Sequence, residues 1–166
     1  MATLNLNELS LIDKAIDLAM DVHSSQFRKI SKKPYFLHPF RVYQAAISNG
    51  LSKQEQIISL LHDVYEDGQN KKYIINRIKE LFGSVVLKAI ILLSHDKNVD
   101  YNKYLLFLAK QNKIVLNVKI LDIIENLSDA PNKKQKDKYI NGIIYLLKNG
   151  IKINTKLLKQ IDNLAK

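Results

Sequence analysis

The sequence predicts an all-α fold, a single compact helical bundle of about eight or nine helices, and three observations carry that expectation. Apolar residues recur mostly three and four positions apart, the periodicity of helices that bury one face. Only five glycines and three prolines punctuate 166 residues, and 46% of the chain is hydrophobic, enough to bury a core without disulfide or metal staples. No repeat, low-complexity tract or linker rich in Pro, Gly or Ser divides the chain, so residues 1–166 are expected to form one domain, with 149–166 a C-terminal helical extension.

The first helix is expected from about Glu8 to Ser24, with Leu9, Ile12, Ile16, Ala19 and Met20 facing inward. A loop carrying a basic cluster follows. Pro39 suits the first turn of a second helix, where its missing N–H has no intrahelical partner to lose, and Gly50 closes that helix. Ser52-Lys53-Gln54-Glu55 reads as a capping box that starts a third helix carrying Ile57, Ile58, Leu60, Leu61 and Val64. Further helices are expected near 71–82, 84–93, 102–111, 114–127, 136–148 and 155–165, with Gly83 stopping the fourth. Ile114 to Ile120 is rich enough in β-branched residues to fit a strand as well, and periodicity does not separate the two in so short a run.

Composition excludes whole classes of chemistry. The chain has no cysteine, which removes disulfides, thiolate zinc sites and thiol nucleophiles together and fits a reducing compartment. There is no basic segment followed by an apolar run at the start, and no stretch approaches the roughly 18 continuous apolar residues of a membrane span. A cytoplasmic protein without membrane contact is expected. The net charge of +10 is concentrated: five basic residues (Arg28, Lys29, Lys32, Lys33 and Arg41) stand without an acid among them, and Lys133 to Lys166 form a second basic region. Such a field attracts phosphorylated ligands or nucleic acid, although a lysine-rich tail is also what a solvated helix face looks like.

Any metal must be held by His, Asp or Glu. His62-Asp63-Val64-Tyr65-Glu66-Asp67 places an imidazole and three carboxylates on nearly one face of a helix. The like-charge repulsion costs about 0.2–0.5 kcal/mol per neighbouring pair, and a divalent cation would turn it into coordination. An exposed acidic stripe is the plain alternative, but the patch directly follows the apolar run Ile57 to Leu61, and unpartnered ionised groups are too costly to bury. His38, before Pro39, is a second component. Lys119, Asp122 and Asn126 share one stripe of a later helix, and Asp122, flanked by Ile120, Leu121, Ile123 and Ile124, needs a buried partner. Two imidazoles and two carboxylates suit a borderline or hard divalent ion such as Mn2+, Fe2+ or Zn2+.

The order His38, His62-Asp63, Asp122 resembles the H…HD…D pattern of HD-superfamily metal-dependent phosphohydrolases. The runs His23-Ser24-Ser25-Gln26-Phe27-Arg28-Lys29, Pro34-Tyr35-Phe36-Leu37-His38-Pro39, Leu60-Leu61-His62-Asp63-Val64-Tyr65-Glu66-Asp67, Phe82-Gly83 and Lys119 to Leu127 together are similar to the hydrolase domain of RelA/SpoT homologues, closest to stand-alone small alarmone hydrolases. The resemblance covers roughly Leu11 to Leu147. It implies His38, His62, Asp63 and Asp122 as ligands of Mn2+ (or another divalent ion), Glu66 and Asp67 as the acidic pair that activates the attacking water, and Arg28, Lys29, Asn126 and Lys119 as substrate contacts. The implied reaction removes the 3′-pyrophosphate of (p)ppGpp to give GDP or GTP and pyrophosphate. The residues agree independently, since a divalent ion lowers the pKa of its water, a carboxylate takes up the proton, and Arg and Lys bind phosphate as a fork and a point charge.

The chain departs from the family where a basic residue commonly follows the last ligand (Ile123 here), where Arg often stands two positions beyond the pocket Asn (Ser128), where a glycine follows Arg-Lys (Ile30-Ser31-Lys32-Lys33 has none), and where Thr commonly follows Glu-Asp (Gly68). These changes leave the ligand set intact and motivate a second reading, in which the same site acts on another phosphorylated nucleotide such as ppApp, the 2′-phosphate of NADPH or a pyrophosphorylated tRNA end, in alarmone turnover or in neutralising a toxic synthetase. A third reading, a non-catalytic basic module that binds nucleic acid such as RNA or serves regulation, lacks the aromatic platform that nucleic-acid-binding modules interleave with their charge. His23 is expected to pack rather than ligate, His95 to sit in a loop, and Tyr101 and Tyr104, three apart on a helix, to belong to the core.

Overall fold

The computed structural model describes the backbone of residues 6–165 and the side chains of residues 10–165. Among them the chain forms α1 (Leu6–His23), α2 (Leu37–Ser48), α3 (Lys53–Leu61), α4 (Val64–Asp67), α5 (Lys71–Leu93), α6 (Tyr101–Gln111), α7 (Lys113–Ser128), α8 (Lys133–Lys148) and α9 (Thr155–Ala165), and the described residues contain no strand. The all-α expectation holds, and the 114–120 segment is helical.

α7 explains both the fold and that ambiguity. It lies in the middle of the bundle, packed against α2, α3, α5, α6, α8 and α9. A helix surrounded on all sides is apolar all round and loses its one-faced periodicity. Val115, Leu116, Val118, Ile120, Leu121, Ile123, Ile124 and Leu127 are all buried, each contributing about 1.5–3 kcal/mol relative to exposure. Ile123 is fully buried in this core, so a basic side chain at that position would need a buried partner.

Local signals placed the ends. Ser52 and Glu55 close the expected capping box, the Ser52 N–H donating to Glu55 Oε2 at 2.9 Å and the Glu55 N–H to Ser52 Oγ at 3.3 Å. α2 ends in a Schellman turn around Gly50, with the Leu51 N–H donating to the Ala46 carbonyl at 3.0 Å. The 71–93 stretch breaks at Gly83, whose φ of 82° and ψ of 175° lie where only glycine sits without strain.

Three expectations need correction or restriction. α3 stops at Leu61, with His62 as its C-cap, and Val64 belongs to the separate single turn α4; the acidic run is therefore two short helical pieces rather than one face. Met20 is half exposed, whereas Ile12 and Ala19 are buried as expected, because α1 offers only a narrow stripe to α3, α4 and α5. The expectation for Leu9 lies outside the described side chains. α9 packs on α7 and α8 through the buried Leu157 and Ile161.

Candidate metal centre and its pocket

α2, α3 and α7 pack against one another, and this brings residues distant in sequence to one point. Donor atoms of His38, His62 and Asp122, all buried, lie within 4.8 Å of one another. His38 Nε2 is 3.0 Å from Asp122 Oδ1 and 3.2 Å from His62 Nε2. Asp63 completes the group, its Oδ2 standing 3.2 Å from His62 Nε2 and 3.5 Å from His38 Nε2.

The proton arrangement shows what this cluster fits. His62 Nδ1 lies 2.8 Å from the Ser59 carbonyl oxygen, which can only accept, so Nδ1 carries hydrogen and Nε2 is turned toward His38. Two imidazole Nε2 atoms then face each other, and His38 Nδ1 is buried without a partner. Burial opposes charge on His62, but Asp63 and Asp122 outweigh it and push its pKa up to about 10. Burial would likewise raise the Asp63 and Asp122 carboxyls; the facing His62 imidazolium holds Asp63 down, and Lys119 with the two imidazoles holds Asp122 well down. The group thus needs positive charge at its centre, and two nitrogen and two carboxylate donors fit a divalent cation there.

Partly buried neighbours fix the donors. Lys119 Nζ donates to Asp122 Oδ2 at 2.7 Å, and Asn126 Nδ2 donates to Asp122 Oδ1 at 2.6 Å. Asp122 raises the Lys119 pKa well above normal, overcoming burial. The Tyr35 hydroxyl donates to Asp63 Oδ2 at 2.9 Å.

The cluster lies at the base of a pocket of about 290 Å³. Arg28, Lys29, Glu66, Asp67, Lys119 and Asn126 all line it with His38, Asp63 and Asp122. The structure therefore gathers the expected residues, with qualifications. Glu66 and Asp67 are exposed on the wall, and Glu66 Oε2 accepts the His95 backbone N–H at 3.0 Å. Arg28 is engaged on two sides, donating through Nε to Asp129 Oδ2 at 3.1 Å and through Nη2 to Asn126 Oδ1 at 2.7 Å. His23 is buried at 2% exposure and pairs through Nδ1 with Gln26 Oε1 at 2.7 Å, and it makes no hydrogen bond to the cluster's donor atoms. Tyr104 belongs to the core, whereas Tyr101 is partly exposed and lines the pocket with His95, Lys138 and Tyr139. His95 does sit in the loop before α6, its ring 4.6 Å from that of Tyr104.

Sequence reasoning missed Tyr35 and Asp129. Tyr35 lies between Pro34 and Phe36, with no adjacent polar residue to signal its role. Asp129 reads as an ordinary acid after a helix, and its partners Arg28, Ser31 and Lys33 are about a hundred residues away.

No family model matches the chain. It is similar to the guanosine-3′,5′-bis(diphosphate) 3′-pyrophosphohydrolase of Aquifex aeolicus (strain VF5), 29% identical over 124 residues that cover 70% of this chain and 17% of that protein. It is also similar to the GTP pyrophosphokinase rsh of Brucella ovis (strain ATCC 25840 / 63/290 / NCTC 10512), 31% identical over 134 residues, 74% of this chain and 17% of that one. The chain thus spans less than a fifth of these curated relatives. Among solved structures, a metazoan ortholog of SpoT described as hydrolysing ppGpp superposes with a TM-score of 0.77 at 21% identity, covering 93% of both chains; that likeness establishes the all-α fold. No described helix is long and apolar enough to cross a membrane.

Proposed function

We propose that this chain, a small HD-type domain related in sequence to RelA/SpoT homologues, is a cytoplasmic Mn2+-dependent hydrolase that removes the 3′-pyrophosphate of (p)ppGpp. The observation that carries the reading is the pair of buried imidazoles with Nε2 atoms 3.2 Å apart, flanked by two carboxylates at the base of a pocket whose walls bear both cations and acids. His38, His62, Asp63 and Asp122 are the residues that would hold the ion. A divalent cation bound there supplies Lewis acidity toward phosphoryl oxygens and water.

The remaining work belongs to the chain. Glu66 and Asp67, exposed to the pocket, accept the proton of the attacking water. The water oxygen forms a bond to the phosphorus attached to the 3′ oxygen, the 3′ O–P bond breaks, and the proton held by the carboxylate pair passes to the 3′ oxygen, so that the nucleoside keeps its 5′ phosphates and a 3′ hydroxyl while pyrophosphate is released. Lys29 and the unused edge of the Arg28 guanidinium hold the phosphate charge. Asn126, tied to both Arg28 and Asp122, keeps substrate contact and cation site in register.

The test is incubation of chelator-stripped protein with ppGpp, with and without added Mn2+, and separation of the nucleotides by ion exchange. GDP and pyrophosphate in equal amounts, only with Mn2+, are expected. If neither forms while ppApp or NADPH is dephosphorylated, the site stands and the substrate assignment fails.

A further inference from the structure

We propose that Asp129 is a positioning residue: it clasps the basic loop between α1 and α2 to the end of α7 and so presets Arg28 and Lys29 for an anionic nucleotide. The inference rests on the functional reading above and extends it to a residue outside the site that reading assigns.

The loop is a small hairpin. Phe27 and Pro34 form an isolated bridge, and the Arg28 N–H donates to the Lys33 carbonyl at 2.9 Å. Its base is tied down, since the Tyr35 N–H donates to the Gln26 carbonyl at 2.9 Å and Gln26 Nε2 to the Asp67 carbonyl at 3.2 Å. Its tip turns through Lys32 at a φ of 58°, a left-handed conformation that side chains disfavour and that must be held from outside. Asp129 holds it. The carboxylate is 5% exposed and accepts from Arg28 Nε at 3.1 Å, Ser31 Oγ at 2.9 Å and Lys33 Nζ at 2.9 Å. The opposite side of the clasp is equally constrained, because Ala130, next in the chain, sits at a φ of 51°.

The consequence concerns binding rather than chemistry. Arg28 and Lys29 reach the pocket from a loop with an exposed aromatic, Phe27 at 61% exposure, and an exposed Ile30 at 45%, so little apolar packing holds it. An arginine ordered before the ligand arrives loses less freedom on binding it, and the gain appears as affinity. Asp129 lines the pocket, but its accepting oxygens are taken by the loop and it offers an anionic substrate nothing directly. Lys33 stands outside the pocket lining and is 45% exposed, so it probes the clasp without touching the site.

The experiment compares wild type, Asp129→Ala, Lys33→Met, Arg28→Met and the Arg28→Met/Asp129→Ala double variant, all Mn2+-loaded. Hydrogen exchange of the 27–35 amides is read without substrate, and KM and kcat are read with ppGpp. Asp129→Ala is expected to speed exchange and raise KM about 10-fold and Lys33→Met about threefold, with kcat within about twofold of wild type. In the Arg28→Met background Asp129→Ala should cost clearly less than it does in wild type, because only Lys29 is then left to misplace. Unchanged exchange, an unchanged KM, a loss confined to kcat, or full additivity in the double variant would overturn the proposal. Should Asp129→Ala not fold, Lys33→Met decides alone. If the wild type turns over no ppGpp, the functional reading fails separately, and the clasp is then judged by the Kd for ppGpp measured directly on the same loaded proteins, where no binding or equal binding by wild type and Lys33→Met overturns it.

Discussion

Replacing Lys119 by methionine tests how the cation site is built into the core. Lys119 Nζ lies 2.7 Å from Asp122 Oδ2, with side-chain exposures of 12% and 5%. Methionine retains most of the apolar stem and removes only the charge. Removing one partner of a buried pair costs about 3–5 kcal/mol, because the other charge is left uncompensated. Asp122 keeps the Asn126 amide and His38 as neighbours, which places the cost in metal-free protein near the lower end, about 3 kcal/mol. For a chain of this size that is a fall in Tm of about 6–12 °C. A divalent cation on Asp122 would supply the missing positive charge, so the fall should shrink markedly with saturating Mn2+. Thermal denaturation followed by circular dichroism, with chelator and with Mn2+, reads both quantities. A fall below about 3 °C in chelator, which is about 1 kcal/mol, or an equal fall in both conditions, would show that Lys119 and the cation do not share Asp122.

Two further predictions concern positions where this chain has its own solution. A Cβ at Gly68 would lie 2.5 Å from the Val64 carbonyl oxygen and press on Ile74, so Gly68→Ala should lower stability by about 1–3 kcal/mol, and an unchanged urea midpoint would contradict the close approach. Burial would raise the Asp129 carboxyl, but donors from Lys33, Ser31 and Arg28 hold it down at about 2 against the usual 3.8. Its contribution, about 1–2 kcal/mol after allowing for the exposed Lys33, is fully present above pH 3.8 and is lost as the pH falls through 2. The stability gap between wild type and Asp129→Asn, measured by urea denaturation from pH 6 downward, should therefore narrow only below about pH 4; a constant gap would mean that the clasp is not ionic.

Much of this molecule is legible in its sequence because its strongest signals are local. The Ser52–Glu55 capping box, Pro39 in the first turn of α2 and the break at Gly83 each depend on neighbours within four residues. Asp122 was legible for a different reason, since a carboxylate within an apolar run must have a buried partner, and the partners proved to be Lys119, Asn126 and two imidazoles. The failures were tertiary. Whether α3 continues through Val64 depends on the turn made at His62 and Asp63, and the periodicity that points Met20 inward is wider than the face that α1 buries. Asp129 could not be read at all, because its meaning lies in a loop that contributes Arg28, Ser31 and Lys33 from the other end of the chain. Ile123 and Gly68, visible only as departures from a family pattern, acquire physical reasons in the structure: one is fully buried, and at the other a Cβ would strike the backbone.

Whether His38, His62, Asp63 and Asp122 hold a cation is read directly from the anomalous scattering of crystals grown with Mn2+ and measured at the manganese edge. One strong peak is expected between His38 Nε2 and His62 Nε2, with a carboxylate oxygen of Asp63 and of Asp122 in its shell, and no such peak in crystals of Asp122→Asn. A wild-type map without a peak there, or with manganese bound elsewhere, would contradict that ligand set.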